Sequence, residues 1–217
     1  MEQSAKKTGK TYEMDMCSGP LFPKIVAFAV PLILSGILQL LFNAADIIVV
    51  GHFAGRESLA AVGSTTALIN LMINVFVGLS IGANVLVAQY SGAKKLKDLE
   101  ETVHTAMMLA LAGGFFLIFV GVFFSSPMLG LMGTPDDVLP LAALYLKIYF
   151  IGMPATLTYN FGAAILRAVG DTRRPLYFLL FAGAVNVVLN LVFVIAFSMG
   201  VAGVATATVV SECISAV

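Results

Sequence analysis

Residues 25–50, IVAFAVPLILSGILQLLFNAADIIVV, form the apolar run that decides the fold class. An α-helix needs about 20 predominantly apolar residues to cross the hydrocarbon core of a bilayer, and this run exceeds that length without a lysine or arginine. It is continuous, whereas a strand of a membrane barrel alternates polar and apolar residues over about ten positions. The run therefore predicts a membrane-spanning helix.

The rest of the chain repeats this pattern. Of its 217 residues, 59% are hydrophobic and 11% are charged, whereas soluble domains carry about 25% charged residues. Six apolar segments can be marked, at 25–50, 59–89, 102–124, 138–165, 175–198 and 201–217. The short connections predict that consecutive helices are antiparallel neighbours. The predicted fold is an all-α, six-transmembrane-helix bundle, and the short sixth helix is expected to be truncated.

The basic residues divide unevenly between the two sides of the predicted bundle. With the N-terminus inside, the outer side carries two, Arg56 and Lys147. The cytoplasmic side carries ten, namely Lys6, Lys7, Lys10, Lys24, Lys94, Lys95, Lys97, Arg167, Arg173 and Arg174. Cytoplasmic loops of membrane proteins are enriched in lysine and arginine. We therefore expect a cytoplasmic tail over 1–24 and a transmembrane lobe over 25–217 in the cytoplasmic membrane. The net charge of zero gives no indication of a nucleic-acid partner.

One acidic residue interrupts the first apolar run. Asp46 follows Ser35, Gln39 and Asn43 at spacings of four, four and three, which predicts one polar face along the helix. A charged side chain inside a bilayer costs at least about 2.5 kcal/mol and is functional by default. Because helices can pack without a carboxylate, we interpret Asp46 as a functional residue facing the interior of the bundle.

Uncharged polar residues recur at helical spacing in the other segments. They are Thr66, Asn70 and Asn74 in the second, Tyr145, Tyr149, Thr156 and Asn160 in the fourth, and Asn186 and Asn190 in the fifth. Such side chains often join helices through hydrogen bonds worth about 0.6 kcal/mol each. We favour that packing role for the second segment. In the fourth segment, Pro154 removes a backbone hydrogen bond and predicts a kink.

An aspartate among amides and hydroxyls can bind one small cation. The carboxylate can take up a proton, or it can combine with neutral oxygen atoms to hold Na⁺. Either ion changes the charge of the site by one, which is the elementary requirement for coupling an ion gradient to a conformational change. H⁺ and Na⁺ both remain open, and we expect no cofactor.

Several phrases, taken in order, resemble the N-terminal half of the multidrug and toxic compound extrusion (MATE) transporters. They are PLILSGILQLLFNAADIIVVGHFAG, VAQYSGAKKLKDLEETVHTA, LRAVGDTRRPLYF and NVVLNLVFVIAFSMGVAGVATAT. The resemblance implies two six-helix lobes, of which this sequence is the first, with a C-terminal six-helix half as its partner. It also implies export of organic, often cationic or amphiphilic compounds in exchange for H⁺ or Na⁺.

The resemblance also implies roles for individual residues. The first-helix aspartate of the family falls on Asp46, and its ion site would include Asn186, Asn190 and Thr208. Asn190 stands where the prokaryotic branch with an ion site in this lobe carries a second carboxylate, so Asp46 would be the single coupling group. The residues expected to line the substrate cavity are Gln39, Asn43, Tyr145 and Asn160.

Other functions remain as alternatives. A lipid-linked flippase of the related superfamily would need several basic residues in its cavity, and the interior offers only Lys147. An intramembrane aspartyl protease needs two membrane aspartates, and only Asp46 qualifies. His52 and His104 lie at helix ends and do not form a catalytic pair with a serine, so we do not expect an enzyme. A channel or a non-transporting half-bundle is compatible with the composition.

Overall fold

The computed structural model describes residues 20–217, so most of the expected cytoplasmic tail lies outside the described residues. The described part is helical and contains no strand. Its helices are α1 (Leu21–Val49), α2 (Gly55–Gly92), α3 (Leu96–Leu131), α4 (Leu139–Ile151), α5 (Met153–Ala168), α6 (Arg173–Leu191) and α7 (Gly200–Ala216). The π-helical segments Val50–Ala54 and Val192–Ala196 extend α1 and α6. The predicted all-α fold is confirmed.

The fourth predicted segment contains the expected kink. It consists of α4 and α5, whose axes differ by 51° across the break at Gly152. Pro154 lies in the first turn of α5. The N–H groups of a first turn have no acceptor within their own helix, so the missing N–H of proline costs nothing there. The kink therefore follows from the local sequence.

Three continuous helical stretches in the described part are long and apolar enough to cross a membrane. They are Phe22–Gly92, Leu96–Leu131 and Arg173–Ala196, and the bent pair α4–α5 makes a fourth if it counts as one span. The first stretch contains both α1 and α2, and the chain passes from one to the other at Gly55, whose φ is +86°. Helix α7 is apolar but shorter.

The two ends of the bundle differ in charge. Asn84 of α2 donates a hydrogen bond to the carbonyl of Ala164 in α5 at 2.6 Å, so the C-terminal parts of these helices lie side by side. The connections that follow them, together with the adjoining helix ends, carry six of the nine basic residues in the described part, and we call this the basic end. These six are Lys94, Lys95, Lys97, Arg167, Arg173 and Arg174. At the opposite end, the two π-helical segments contact each other.

Helix α1 packs mainly on α6 and has no substantial interface with α2. The expectation that all consecutive helices are neighbours is therefore wrong for this pair. The physical reason is that α2 buries Ala61, Leu68 and other residues of its apolar face in the core that it shares with α3, α4 and α5. Helix α1 is thus a peripheral element, joined to the bundle through one partner helix.

The centre of the lobe is the kinked α4–α5 pair. Leu146, Phe150, Met153, Leu157 and Phe161 are at most 1% exposed, and their helices contact α2, α3 and α7. Many large apolar side chains on the outside of the bundle are exposed, including Ile33, Ile37, Leu41 and Ile48 of α1. An apolar exterior is what a hydrocarbon environment requires.

Candidate functional site

Asp46 lies at the contact between α1 and α6. Asn190 donates one hydrogen bond from Nδ2 to Asp46 Oδ1 and another to Asn186 Oδ1 at 3.2 Å. Asn186 Nδ2 in turn donates to Thr208 Oγ1 at 3.4 Å, and Thr208 donates to the carbonyl of Val204 at 3.0 Å. Four side chains from three helices therefore form one hydrogen-bonded group, which we call the Asp46 cluster (Asp46, Asn186, Asn190, Thr208).

The local sequence explains how the cluster forms. Asn186 and Asn190 are four residues apart on α6 and so share a face, and both are buried. Gly183 lies on the same helix, three residues before Asn186. It has no side chain, and the ring of Phe42 occupies the space that a Cβ atom would need. Phe42 is four residues before Asp46, so this contact brings the polar end of α1 against the asparagine pair.

Asn190 has an unused acceptor. Its Oδ1 atom is buried and forms no hydrogen bond to any residue of the described part, although Asn190 is only 1% exposed. A buried acceptor without a partner costs about 1–3 kcal/mol. A protonated Asp46 would offer a hydrogen, and a cation beside Asp46 would offer positive charge. The cluster is therefore suited to hold one of these species.

The available oxygen atoms define the kind of cation that fits. Among residues 20–217, no group of three or more His, Cys, Asp or Glu side chains lies together. A cation at Asp46 would therefore meet one carboxylate and neutral amide or hydroxyl oxygens. Hard cations prefer such oxygen ligands. One carboxylate balances a single positive charge, which favours a monovalent ion over a divalent one.

Tyr145 also belongs to this region. It is 7% exposed and lies on α4, which packs against α7, the helix that carries Thr208 of the cluster. The centroid of its ring is 6.0 Å from that of Tyr149, one helical turn further along α4. The expected cavity residue Tyr145 therefore lies within the core of the lobe.

The predicted polar face of α1 divides in the structure. Ser35 is buried and donates to the carbonyl of Pro31 at 2.8 Å, and Asp46 is half-buried. Gln39 and Asn43 are exposed, so the expectation of one inward polar face is wrong. The reason is that α1 contacts essentially one helix, which covers only a narrow strip of its surface.

Asn160 is not part of the cluster. Its Nδ2 atom donates to the carbonyl of Thr156 in the same helix at 2.9 Å. On α2, Thr66, Asn70 and Asn74 are exposed. Exposed amides are costly in hydrocarbon. We therefore expect this side of α2, like Gln39 and Asn43 on α1, to face water or further protein.

The model of the MatE family matches residues 31–192. The chain belongs to the MatE family. The resemblance seen in the sequence is thereby confirmed, and the helical structure is that of a multi-pass membrane protein. Two curated relatives come from Bacillus subtilis (strain 168). The probable multidrug resistance protein YpnP is 31% identical over 198 residues, which cover 91% of the chain and 44% of YpnP. The probable multidrug resistance protein YoeA is 34% identical over 85% of the chain and 41% of YoeA.

Solved structures of MatE family members have the same fold. A MATE protein in the bent conformation superposes with a TM-score of 0.84 at 27% identity, covering 91% of this chain and 44% of that one. A multidrug resistance MATE family transporter in its outward-facing conformation gives a TM-score of 0.83, covering 89% and 43%. The chain spans less than half the length of these MatE proteins and corresponds to their N-terminal half.

Two residues near the cluster were not among the predicted site residues of this MatE lobe. Tyr149 follows Tyr145 at a spacing of four, and Glu212 follows Thr208 at the same spacing. In a helix this spacing places each pair on one face, which is the signal that could have found them. Sequence alone did not show that α4 and α7 pack against each other, and so it could not join the two pairs.

Proposed function

We propose that this chain is the N-terminal lobe of a cation-coupled antiporter. The complete protein would export organic, often cationic or amphiphilic drugs and toxins across the cytoplasmic membrane in exchange for H⁺ or Na⁺. Membership of the MatE family supports this proposal, as do the names of YpnP and YoeA, which describe multidrug resistance proteins. The N-terminus and the basic end would face the cytoplasm, in agreement with the distribution of lysine and arginine.

The observation that carries the proposal is the Asp46 cluster. It joins a carboxylate at the peripheral helix α1 to amides and a hydroxyl on α6 and α7. Binding one cation would neutralise Asp46 and change the forces between α1 and α6. A ligand shifts a conformational equilibrium only if it binds the two states with different affinity. A charge change at a helix with a single main partner provides such a difference.

The substrate would bind between this lobe and the second six-helix half. The exposed amides of Gln39 and Asn43 on α1, and those of Asn70 and Asn74 on α2, would line water or protein there. Tyr145 and Asn160 are the members of the predicted cavity on α4 and α5. Transporters built from two repeats bind their substrate at the interface between the repeats and rock them against each other. An isolated lobe should therefore not perform gradient-driven transport.

The test uses the complete protein in liposomes. A fluorescent organic cation is loaded, and its movement is followed after a pH gradient or a Na⁺ gradient is imposed separately. Asp46→Asn preserves the size of the side chain and removes its charge, and we expect it to abolish gradient-driven transport. Glu57→Gln is the matched control, because Glu57 is exposed in the first turn of α2 and lies outside the cluster.

The two gradients distinguish the coupling ions. Transport driven by the pH gradient without Na⁺ identifies H⁺, and transport driven by Na⁺ at equal pH identifies Na⁺. Undiminished gradient-driven transport by Asp46→Asn would refute the coupling role. Failure of the wild-type protein to move organic compounds under either gradient would refute the antiporter function.

A further inference from the structure

A cleft opens between α5 and α6 near the basic end of the lobe. Both helices pack on α7, but they make few contacts with each other. The space between them has a volume of about 170 Å³. Its walls include Met107 of α3, Gly162 and Leu166 of α5, and Pro175 and Phe178 of α6. No member of the Asp46 cluster lines this space, which we call the α5–α6 cleft.

The lining of the α5–α6 cleft offers no free hydroxyl donor. None of the described residues that line it is charged, and each hydroxyl group in the lining donates a hydrogen bond to a backbone carbonyl. The donor–acceptor pairs are Thr158–Pro154 at 2.6 Å, Tyr159–Pro175 at 3.1 Å and Ser215–Glu212 at 2.8 Å. Apolar cavities of about 150 Å³ stay dry and bind small hydrocarbons. The cleft therefore suits a hydrocarbon chain better than a polar ligand.

The α5–α6 cleft is open to the outer surface of the lobe. Phe178 lines the cleft and is itself 45% exposed. Helix α6 also exposes Tyr177, Leu180 and Phe181 beside it. Large apolar side chains on the outside of a membrane protein lie against the acyl chains of the bilayer. Lipid chains can therefore reach the cleft from the side.

Both walls of the cleft end in arginine at the basic end. Arg167 directly follows Leu166 on α5, and Arg173 and Arg174 precede Pro175 at the start of α6. Arg173 and Arg174 are exposed, and Arg167 is half-buried. Basic pockets between membrane-spanning helices bind the headgroups of anionic lipids. The arginines therefore predict which headgroup would accompany a chain in the cleft.

The nearby carboxyl groups leave this positive charge in excess. Asp171 is fully buried, and its Oδ1 atom accepts hydrogen bonds from the backbone N–H groups of Arg173 and Arg174 at 3.1 Å each. Its Oδ2 atom lies 3.1 Å from Arg174 Nε, so Asp171 balances one arginine. Glu212 lies three residues before Ser215 and does not line the cleft. With three arginines and one aspartate, residues 167–174 carry a net charge of +2.

We infer that the α5–α6 cleft binds one acyl chain of an anionic phospholipid, whose phosphate lies against Arg167 and Arg173. The net positive charge selects an anionic headgroup and repels an organic cation. The dry cleft takes a hydrocarbon chain, which a free phosphate ion lacks. A bound chain would fill the space between two helices that make few contacts with each other. Lipid binding involves no transport step, so the inference does not rest on the proposed antiporter function.

Native mass spectrometry of the complete protein in detergent measures the binding of single lipid molecules. Phosphatidylglycerol and phosphatidylcholine with identical acyl chains are titrated separately, and we expect phosphatidylglycerol to bind at least about tenfold more tightly. Each arginine near an anionic headgroup contributes about fivefold to binding. Arg167→Gln and Arg173→Gln should therefore each weaken phosphatidylglycerol binding by about that factor. Arg56→Gln is the control, because Arg56 is exposed at the opposite end of the lobe.

The chain-binding part of the cleft has its own variant. Nothing lies within 4 Å of an added Cβ atom on Gly162, so Gly162→Leu places a side chain in the cleft without displacing a helix. Each buried methylene of a lipid chain contributes about fourfold to binding. Because the leucine excludes several methylenes, phosphatidylglycerol binding should weaken by at least about tenfold. Gly78→Leu is the control, since an added Cβ on Gly78 also meets nothing within 4 Å and Gly78 lies outside the cleft.

Gly162→Ala guards against a folding defect in Gly162→Leu. It adds a single methyl group, so it should weaken phosphatidylglycerol binding by a smaller factor, and circular dichroism checks that each variant is folded. Equal affinities of the wild-type protein for the two lipids would overturn the recognition of an anionic headgroup. Unchanged phosphatidylglycerol binding in folded Gly162→Leu or, if that variant does not fold, in Gly162→Ala would overturn the cleft as the chain-binding site. The second result would mean that other residues of the complete protein fill the cleft or that the lipid binds elsewhere.

Discussion

Two helix contacts in this lobe hold α3 and α1 in different ways. At the contact of α3 with the α4–α5 kink, Gly114 approaches the backbone of Pro154 so closely that an added Cβ atom would overlap Pro154 Cα and lie 2.8 Å from its nitrogen. At the contact of α1 with α6, Gly183 faces the ring of Phe42, and the hydrogen bond between Asn190 and Asp46 lies beyond it.

The difference separates stability from function. Backbone cannot move aside, so the α3–α5 contact fixes the position of α3 against the kinked pair at the centre of the lobe. A phenyl ring can rotate, and the strength of the hydrogen bond between Asn190 and Asp46 depends on the charge of the Asp46 carboxyl group. The ionisable residue thus lies at the contact that can rearrange, and the tightly packed contact carries no charge.

The largest effect on stability is expected from Gly114→Ala. The added methyl group has no space against Pro154, so the helices must shift, and overpacking of a well-packed core costs about 1–3 kcal/mol. We expect the thermal midpoint of the complete protein in detergent, followed by circular dichroism, to fall clearly. Gly78→Ala is the control, because nothing lies within 4 Å of an added Cβ on Gly78. Equal midpoints for the two variants would contradict the backbone contact.

An intermediate effect is expected from Gly183→Ala. The new Cβ atom would overlap the ring of Phe42, but the ring can move, so the loss should be smaller than for Gly114→Ala. Replacing the ring in the double variant Gly183→Ala/Phe42→Leu should restore part of the midpoint. If the second substitution lowers the midpoint by the same amount with and without the first, the two residues do not act through a shared contact.

A loss of about 1 kcal/mol is expected from Tyr159→Phe. Its hydroxyl donates to the carbonyl of Pro175 at 3.1 Å, and a typical intramolecular hydrogen bond contributes about 1 kcal/mol net. The ring remains, so packing is unchanged. Chemical or thermal unfolding measures the loss in the free energy of unfolding for Tyr159→Phe. Tyr177→Phe is the control, because its ring is exposed. A loss equal to that of Gly183→Ala would show that the tyrosine contributes more than this bond.

The smallest effect on stability is expected from Asp46→Asn. The amide oxygen of the new asparagine can accept the hydrogen bond from Asn190, so the midpoint should change by less than that of Tyr159→Phe. The same variant should abolish gradient-driven transport. A midpoint lowered as far as that of Gly114→Ala would instead show that the carboxylate holds α1 in place.

Sequence reasoning predicted the helical fold and part of the candidate site. The kink at Pro154 and the apolar segments depend on local composition and spacing, and both are present in the structure. Asp46, Asn186, Asn190 and Thr208 were predicted together through the resemblance, and they share one hydrogen-bonded network. Their functional role stays a prediction. The inward face expected for Gln39 and Asn43 was wrong, because periodicity shows which residues share a face and not which helix covers it.

The sequence by itself determined that the chain is an all-α membrane protein with one isolated carboxylate in its first helix, because hydrophobic length and the cost of charge in hydrocarbon are local properties. Only the tertiary structure decided that α1 packs on α6 and not on α2. It also decided that the C-terminal end of α4 packs on α7, where Gly152 lies against Val209. These contacts join residues far apart in the chain, so they depend on how complete helices fit together and not on any one segment.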